Sequence, residues 1–154
     1  MRMLQKLRRL CGDRRGAAII ELAIAAPVFA GLLVGMVDLG RAYSTKLQLE
    51  QASQRAIEKV MNGQADTSTA IALQTEAAFT AGVPLTQVTV DFWLECDGAR
   101  AALYNSACNP GQTSRRYMTV SITKSFAPMF SARWAGSNAD GTFTLVGKTG
   151  VRTQ

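Results

Sequence analysis

The chain has 154 residues, a length suited to one domain of ordinary size, and contains no histidine. That absence excludes imidazole general bases, Ser-His-Asp and Cys-His catalysis and His-ligated zinc, while three cysteines are too few for a four-Cys metal site. The net charge of +6 is unevenly spread: Arg2, Lys6, Arg8, Arg9, Arg14 and Arg15 against Asp13 put +5 into residues 1–16, and eleven basic against ten acidic groups leave +1 for the rest. Basicity confined to so short a segment argues against a nucleic-acid-binding domain, and no nucleic acid is expected as a partner.

After this basic segment the composition changes sharply. Ala17 to Val37 reads AAIIELAIAAPVFAGLLVGMV, 21 residues with Glu21 as the only ionisable group. As a helix rising ~1.5 Å per residue it spans roughly 31 Å, the thickness of a bilayer core. Lys and Arg on the N-terminal flank predict a cytoplasmic N-terminus and an exported C-terminal part. A buried helix of a soluble protein is the weaker alternative, given the length and the one-sided basic flank. A cleaved secretory signal fits poorly, because the apolar run before Ala23-Ile24-Ala25 is short and holds Glu21. A lipoprotein reading at Leu10-Cys11 lacks a preceding apolar segment.

A basic leader, a glycine and then an apolar helix with an early glutamate is an uncommon layout. Arg15-Gly16-Ala17-Ala18-Ile19-Ile20-Glu21 resembles the processing site of type IV pilin-like precursors. With Glu21-Leu22-Ala23, Ala26-Pro27 and Gly35-Met36-Val37-Asp38-Leu39-Gly40-Arg41, the segment is similar to the TadE-like minor pseudopilins of tight-adherence (Flp-type) pilus systems. Abundant Flp pilins are shorter and often carry Glu-Tyr where this chain has Glu21-Leu22, which points to a minor component. The resemblance implies a leader of residues 1–16 removed by a prepilin peptidase between Gly16 and Ala17, a transmembrane segment over 17–37, and a periplasmic or extracellular head over 38–154. It also implies other pilin-like subunits and an inner-membrane assembly platform as partners, with the head at the pilus tip or in initiation. The competing reading is a permanently anchored periplasmic binding or scaffold protein.

Within the apolar segment, Gly31 and Gly35 are four apart, with Pro27 and Ala23 extending the same face. Small residues at this spacing let helices approach closely, although glycine is also common in membrane helices generally. Glu21 either reaches the headgroups or serves assembly, neutralising the new ammonium of Ala17 on a neighbouring subunit.

Beyond Val37 the helix is expected to continue. Leu39, Ala42, Tyr43, Leu47, Leu49, Ala52, Ala56 and Val60 recur mainly at steps of three and four, and Asn62-Gly63 supplies a stop. Ala17 to Met61 then makes one helix of about 68 Å. A second helix is expected from Ser68 to Ala81, with Asp66 or Thr67 as N-cap and Gly82-Val83-Pro84 ending it.

The remainder reads as antiparallel sheet. Val88, Val90, Phe92 and Leu94 alternate with polar or solvent-facing neighbours, as do Met118, Val120 and Ile122, and then Phe143, Leu145 and Gly147 in a strand bent at its glycines. Residues from Phe126 to Trp134 read as a loop with room for one helical turn. The expected fold class is α+β: a long N-terminal helix continuing into a head with a second helix and a small antiparallel sheet.

Cys96 and Cys108 flank the connection between the first two of these strands. In an oxidising compartment they could close it as a disulfide; two free thiols is the alternative. TadE-like heads often carry such a pair, which favours the bridge by resemblance. Asp91, Glu95 and Asp97 are read as a solvated acidic face and not as a cation site. Arg115, Arg116 and Trp93 are candidate partner contacts without a specific pattern. Gly147-Lys148-Thr149 echoes a phosphate loop, but Thr142 stands where its first glycine belongs and no helix pattern follows. No enzyme activity, cofactor, catalytic residue or metal site is expected.

Overall fold

The computed structural model describes residues 16–61, 67–129 and 135–153. The basic leader up to Arg15 with Cys11, the Asn62-Gly63 stop, Asp66 and loop residues 130–134 therefore lie outside the described residues. Helix α1 runs Ala17–Met61 and α2 runs Thr67–Ala81. A 3-10 turn (Leu85–Gln87) leads into β1 (Val88–Cys96), β2 (Ala99–Arg100), β3 (Ser114–Phe126) and β4 (Phe143–Arg152). The fold is α+β. Its residues divide into two compact units, 1–40 and 41–154.

In the first unit, α1 carries Pro27 in its interior. Proline has no N–H, so the Ala23 carbonyl loses its helical donor. An apolar helix tolerates this better where other groups can approach that carbonyl.

In the second unit, four strands form one antiparallel sheet in the order β2-β1-β3-β4. Val88 pairs with Ile122 and Cys96 with Ser114 along β1 and β3, and Tyr117 with Arg152 through Phe126 with Phe143 along β3 and β4. Side chains alternate across a strand, so one face of the sheet presents Val88, Leu94, Met118, Val120 and Ile122, all buried. Leu49, Ala52, Ala56 and Ile57 of α1 join Leu73, Ala77 and Ala78 of α2 to cover that face. The helical periodicity of α1 thus divides at Leu49: Leu39 and Tyr43, in the same three-and-four repeat, are 71% and 63% exposed. Helix α2 ends with Gly82 and Val83 N–H groups donating to the Phe79 and Ala78 carbonyls, which satisfies its last turn.

β2 was not apparent from alternation. It exists because Asp97 and Gly98, with φ of 51° and 83°, fold β1 back in a two-residue turn. Positive φ at both central positions is what an Asp-Gly hairpin supplies, and Asp97 Oδ1 then accepts from the Thr113 N–H at 2.8 Å. The chain beyond β2 returns under a disulfide between Cys96 and Cys108, whose Cα atoms are 5.6 Å apart. Tyr104 in this loop packs on Phe92, ring centroids 5.5 Å apart, beneath the Arg116 guanidinium. Before β4, the hydroxyl and backbone N–H of Thr142 both donate to Asp140 and hold its carboxyl below the usual aspartate value.

Helix and sheet approach closely at Gly147 of β4. A Cβ there would lie 2.5 Å from the backbone carbon of Leu49 and 2.7 Å from the Glu50 nitrogen. Nearby, Ser53 is fully buried; its hydroxyl donates to the Glu50 carbonyl at 2.8 Å and lies 2.7 Å from Thr149 Oγ1, which is left to donate to it. Helix backbone and strand backbone thus meet directly. Gly147→Ala should force them apart and destabilise the head by about 1–3 kcal/mol. Lys148→Ala, on the exposed side of the same strand, should change stability by no more than about 0.5 kcal/mol. Denaturant unfolding monitored by tryptophan fluorescence checks both, and equal midpoints for the two variants would show that α1 yields freely at this contact.

Candidate functional site

Helix α1 is long and apolar enough to cross a membrane, and none of its most apolar stretch is buried within the chain. Ile19, Ile20, Leu22, Ile24, Val28, Phe29, Leu32, Leu33, Met36 and Val37 point outward in every direction and are each more than half exposed. An amphipathic surface helix would confine such residues to one stripe. A helix that is apolar all round needs apolar surroundings on all sides, and helical pairing within the segment meets the backbone's demand for partners there.

The sequence-derived site residues are strung along this helix. Gly16 immediately precedes the first α-helical residue, Ala17, and both are exposed. Glu21 follows within the first turns, exposed, and among the described residues nothing pairs with it. Gly31 and Gly35 lie one turn apart, and a Cβ built on either would meet nothing within 4 Å. No packing among the described residues therefore requires glycine at these two positions. The disulfide pair, Cys96 and Cys108, belongs to the head instead, at the turn end of β1.

On the head, Asp91, Glu95 and Asp97 each have a local partner. Asp91 takes both carboxylate oxygens to Arg100, at 2.9 and 3.0 Å, and Glu95 accepts from the Trp93 indole at 2.9 Å. Among the described residues, no three His, Cys, Asp or Glu side chains are grouped to hold a metal ion. Trp93 stacks on Tyr117 at 5.3 Å and 17° across β1 and β3, with the Arg100 guanidinium 5.2 Å from its centroid. Arg116 is drawn to Tyr104, and Arg115 is exposed. Lys148 and Thr149 lie within β4, so the resemblance to a phosphate loop has no loop or helix to support it. Sequence periodicity did not single out Ser53 and Thr149, and it placed Gly147 in a strand without its contact to the helix. A serine on the buried side of a helical repeat, and a glycine in a strand interior, were the available signals.

A family model described as TadE-like protein matches residues 16–57, from the glycine before α1 into the part of α1 that covers the sheet. No curated protein and no solved structure gives a significant match. The TadE-like family is a pilus-related one, structural and not catalytic in character. One N-terminal apolar helix in such a protein is compatible with a single-pass membrane anchor. Residues 16–57 are thus a TadE-like segment, and the chain is consistent with a TadE-like protein of the tight-adherence pilus system.

Proposed function

We propose that the chain is a minor pseudopilin, a structural subunit of a tight-adherence pilus that acts in initiation or at the tip. The observation that carries this reading is a helix apolar on every side that begins one residue after Gly16, inside a TadE-like match that itself begins at Gly16. In this reading, residues 1–16 face the cytoplasm, a prepilin peptidase cuts between Gly16 and Ala17, and residues 17–37 hold the mature chain in the inner membrane. The head, 38–154, lies on the periplasmic side. The assembly platform then draws α1 into a bundle with other pilin-like helices, and the head arrives at the cell surface. Recovery of the chain in sheared pilus fractions supports incorporation; its confinement to the membrane fraction of a piliated strain favours the permanently anchored scaffold.

Cleavage needs a residue at position 16 small enough for the backbone to enter a peptidase site closely, and glycine is the smallest. Gly16→Val should therefore leave the 16-residue leader attached, read as an unshortened mass in membrane-extracted protein. If that variant still matures to the normal mass, the cleavage assignment is wrong.

Two assembly roles follow from groups without partners inside the described chain. Gly31 and Gly35 offer a helix surface on which a second helix can approach closely. The pair Gly31→Leu and Gly35→Leu should insert and mature normally but cross-link several-fold less to other pilin-like subunits; unchanged cross-linking removes this role. A carboxylate in an apolar segment costs up to ~2.5–3.5 kcal/mol, less near a helix end. Pairing Glu21 with the Ala17 ammonium of a neighbour offsets that cost only on assembly. Glu21→Gln should thus mature nearly normally yet be depleted from pili, with Glu21→Asp intermediate. Parental incorporation of the Gln variant would exclude charge pairing while leaving the pseudopilin reading intact.

A further inference from the structure

Strand β4 leaves one side of its backbone without partners. It runs without a bulge from Phe143, opposite Phe126, to Arg152, opposite Tyr117, and contains no proline. The Thr153 N–H donates to the Arg116 carbonyl at 2.8 Å, which fixes the parity of the ladder. Odd-numbered residues of β4 turn their N–H and C=O groups to β3, while Thr144, Val146, Lys148 and Gly150 turn theirs away. Among the described residues, nothing bonds to those outward backbone groups. The opposite edge of the sheet is better guarded. There β2 pairs with the end of β1, the Ala101 N–H donates to the Leu94 carbonyl, and Val88 is held by Leu85 and Gln74.

Helix α1 roofs the β4 edge. Leu49 stands over Gly147 and Ser53 meets Thr149, so the helix runs along β4 on the core side. An added strand lies about 4.8 Å from its neighbour, whereas packed helix axes need about 8–10 Å. A second copy paired in a register centred on Gly147 would therefore drive two α1 helices into each other. A register centred on Lys148 would set that exposed cation directly against itself. What fits is a strand with no helix above it. Lys148 and Arg152 are the only charged residues of β4, and both stand on its solvent side, so the fitting strand is acidic there.

We propose that the β4 edge is a strand-addition site for an extended, acidic segment of another protein, which completes the main-chain pairing from Thr144 to Gly150 and sets carboxylates beside Lys148. Main-chain bonds supply the attachment, the α1 roof excludes a second helix-covered head, and Lys148 selects the charge. The site belongs to the head alone and does not depend on the membrane or pseudopilin reading.

The test follows amide hydrogen exchange by NMR in the full chain, one copy per lipid nanodisc. The probe is a short synthetic peptide alternating valine and glutamate, at millimolar concentration; its counterpart alternates valine and lysine. Without peptide, the amides of Leu145, Gly147 and Thr149 should exchange slowly and those of Val146, Lys148 and Gly150 fast. The acidic peptide should slow the second set several-fold and leave the first unchanged, and the basic peptide should do neither. Lys148→Glu should reverse the preference between the peptides. Lys148→Pro removes an outward N–H and spares the ladder to β3, so it should abolish the response while the odd-numbered amides stay slow. Slow exchange of the even-numbered amides before any peptide is added means that the chain covers its own edge, which overturns the proposal. Equal protection by both peptides, or by neither, overturns it too.

Discussion

The backbone of α1 has to remain paired over 45 residues, the Ala23 carbonyl opposite Pro27 excepted, while the surroundings of its side chains change completely. A helix is one of the few arrangements that satisfies every internal N–H and C=O from within, so it can pass from an apolar medium to a protein core without an intervening loop. What changes along it is the side-chain inventory. Up to Val37 large aliphatic groups face all directions. From Leu49 onward the buried side is made of Ala52, Ser53 and Ala56, with Ile57 at its end. Small side chains bring the helix axis close to the sheet, and β4 answers with Gly147. Two backbones then meet where bulkier pairs would hold them apart, and the single buried hydroxyl at the contact, Ser53, is bonded on both sides of its oxygen. An unpaired hydroxyl there would cost about 1–3 kcal/mol; paired, it fixes the register of helix against strand.

Sequence patterns and structure meet unevenly along the chain. The length of α1, the extent of α2 and the inward residues of β1 and β3 were legible because each depends on local periodicity and local stop signals. The change of role along α1 at Leu49 was not. Leu39 and Tyr43 continue the same three-and-four spacing as Ala52 and Ala56, and spacing records that a side is apolar without recording what covers it. β2 was missed although Asp97-Gly98 announces a tight hairpin, because a two-residue strand has no alternation of its own. Gly147 was legible only as a bend; its purpose resides in Leu49, almost a hundred positions away. Gly16, Glu21, Gly31 and Gly35 stand out in the sequence as composition anomalies in an apolar run, and the structure places each of them on an open surface.

The uncovered face of the sheet solves a different problem. One side is under helices; the other must be wet and yet carries Trp93 and Tyr117. Stacking the two rings across neighbouring strands covers a face of each, Arg100 covers another, and the Trp93 N–H is bonded to Glu95. Asp91 then holds Arg100 in place. Cross-strand pairs of this kind contribute roughly 0.2–1 kcal/mol each, and here they also stop the aromatic pair from acting as an adhesive patch.

The same economy governs the positive charge. Arg41 lies over the ring of Phe126, Arg100 over that of Trp93 and Arg116 over that of Tyr104. Cations used to cover rings are poorly placed to form a basic groove, in keeping with the +1 balance of residues 17–154. The surplus charge sits in residues 1–16; in the proposed function it holds the N-terminal flank on the cytoplasmic side. Removing it, as proposed, would leave subunits near neutrality, and near-neutral heads repel one another little when packed side by side in a filament. In that proposal, a leader that orients the chain by its charge and is then discarded would let one sequence meet two opposed electrostatic demands: strong asymmetry during insertion and weak self-repulsion during assembly.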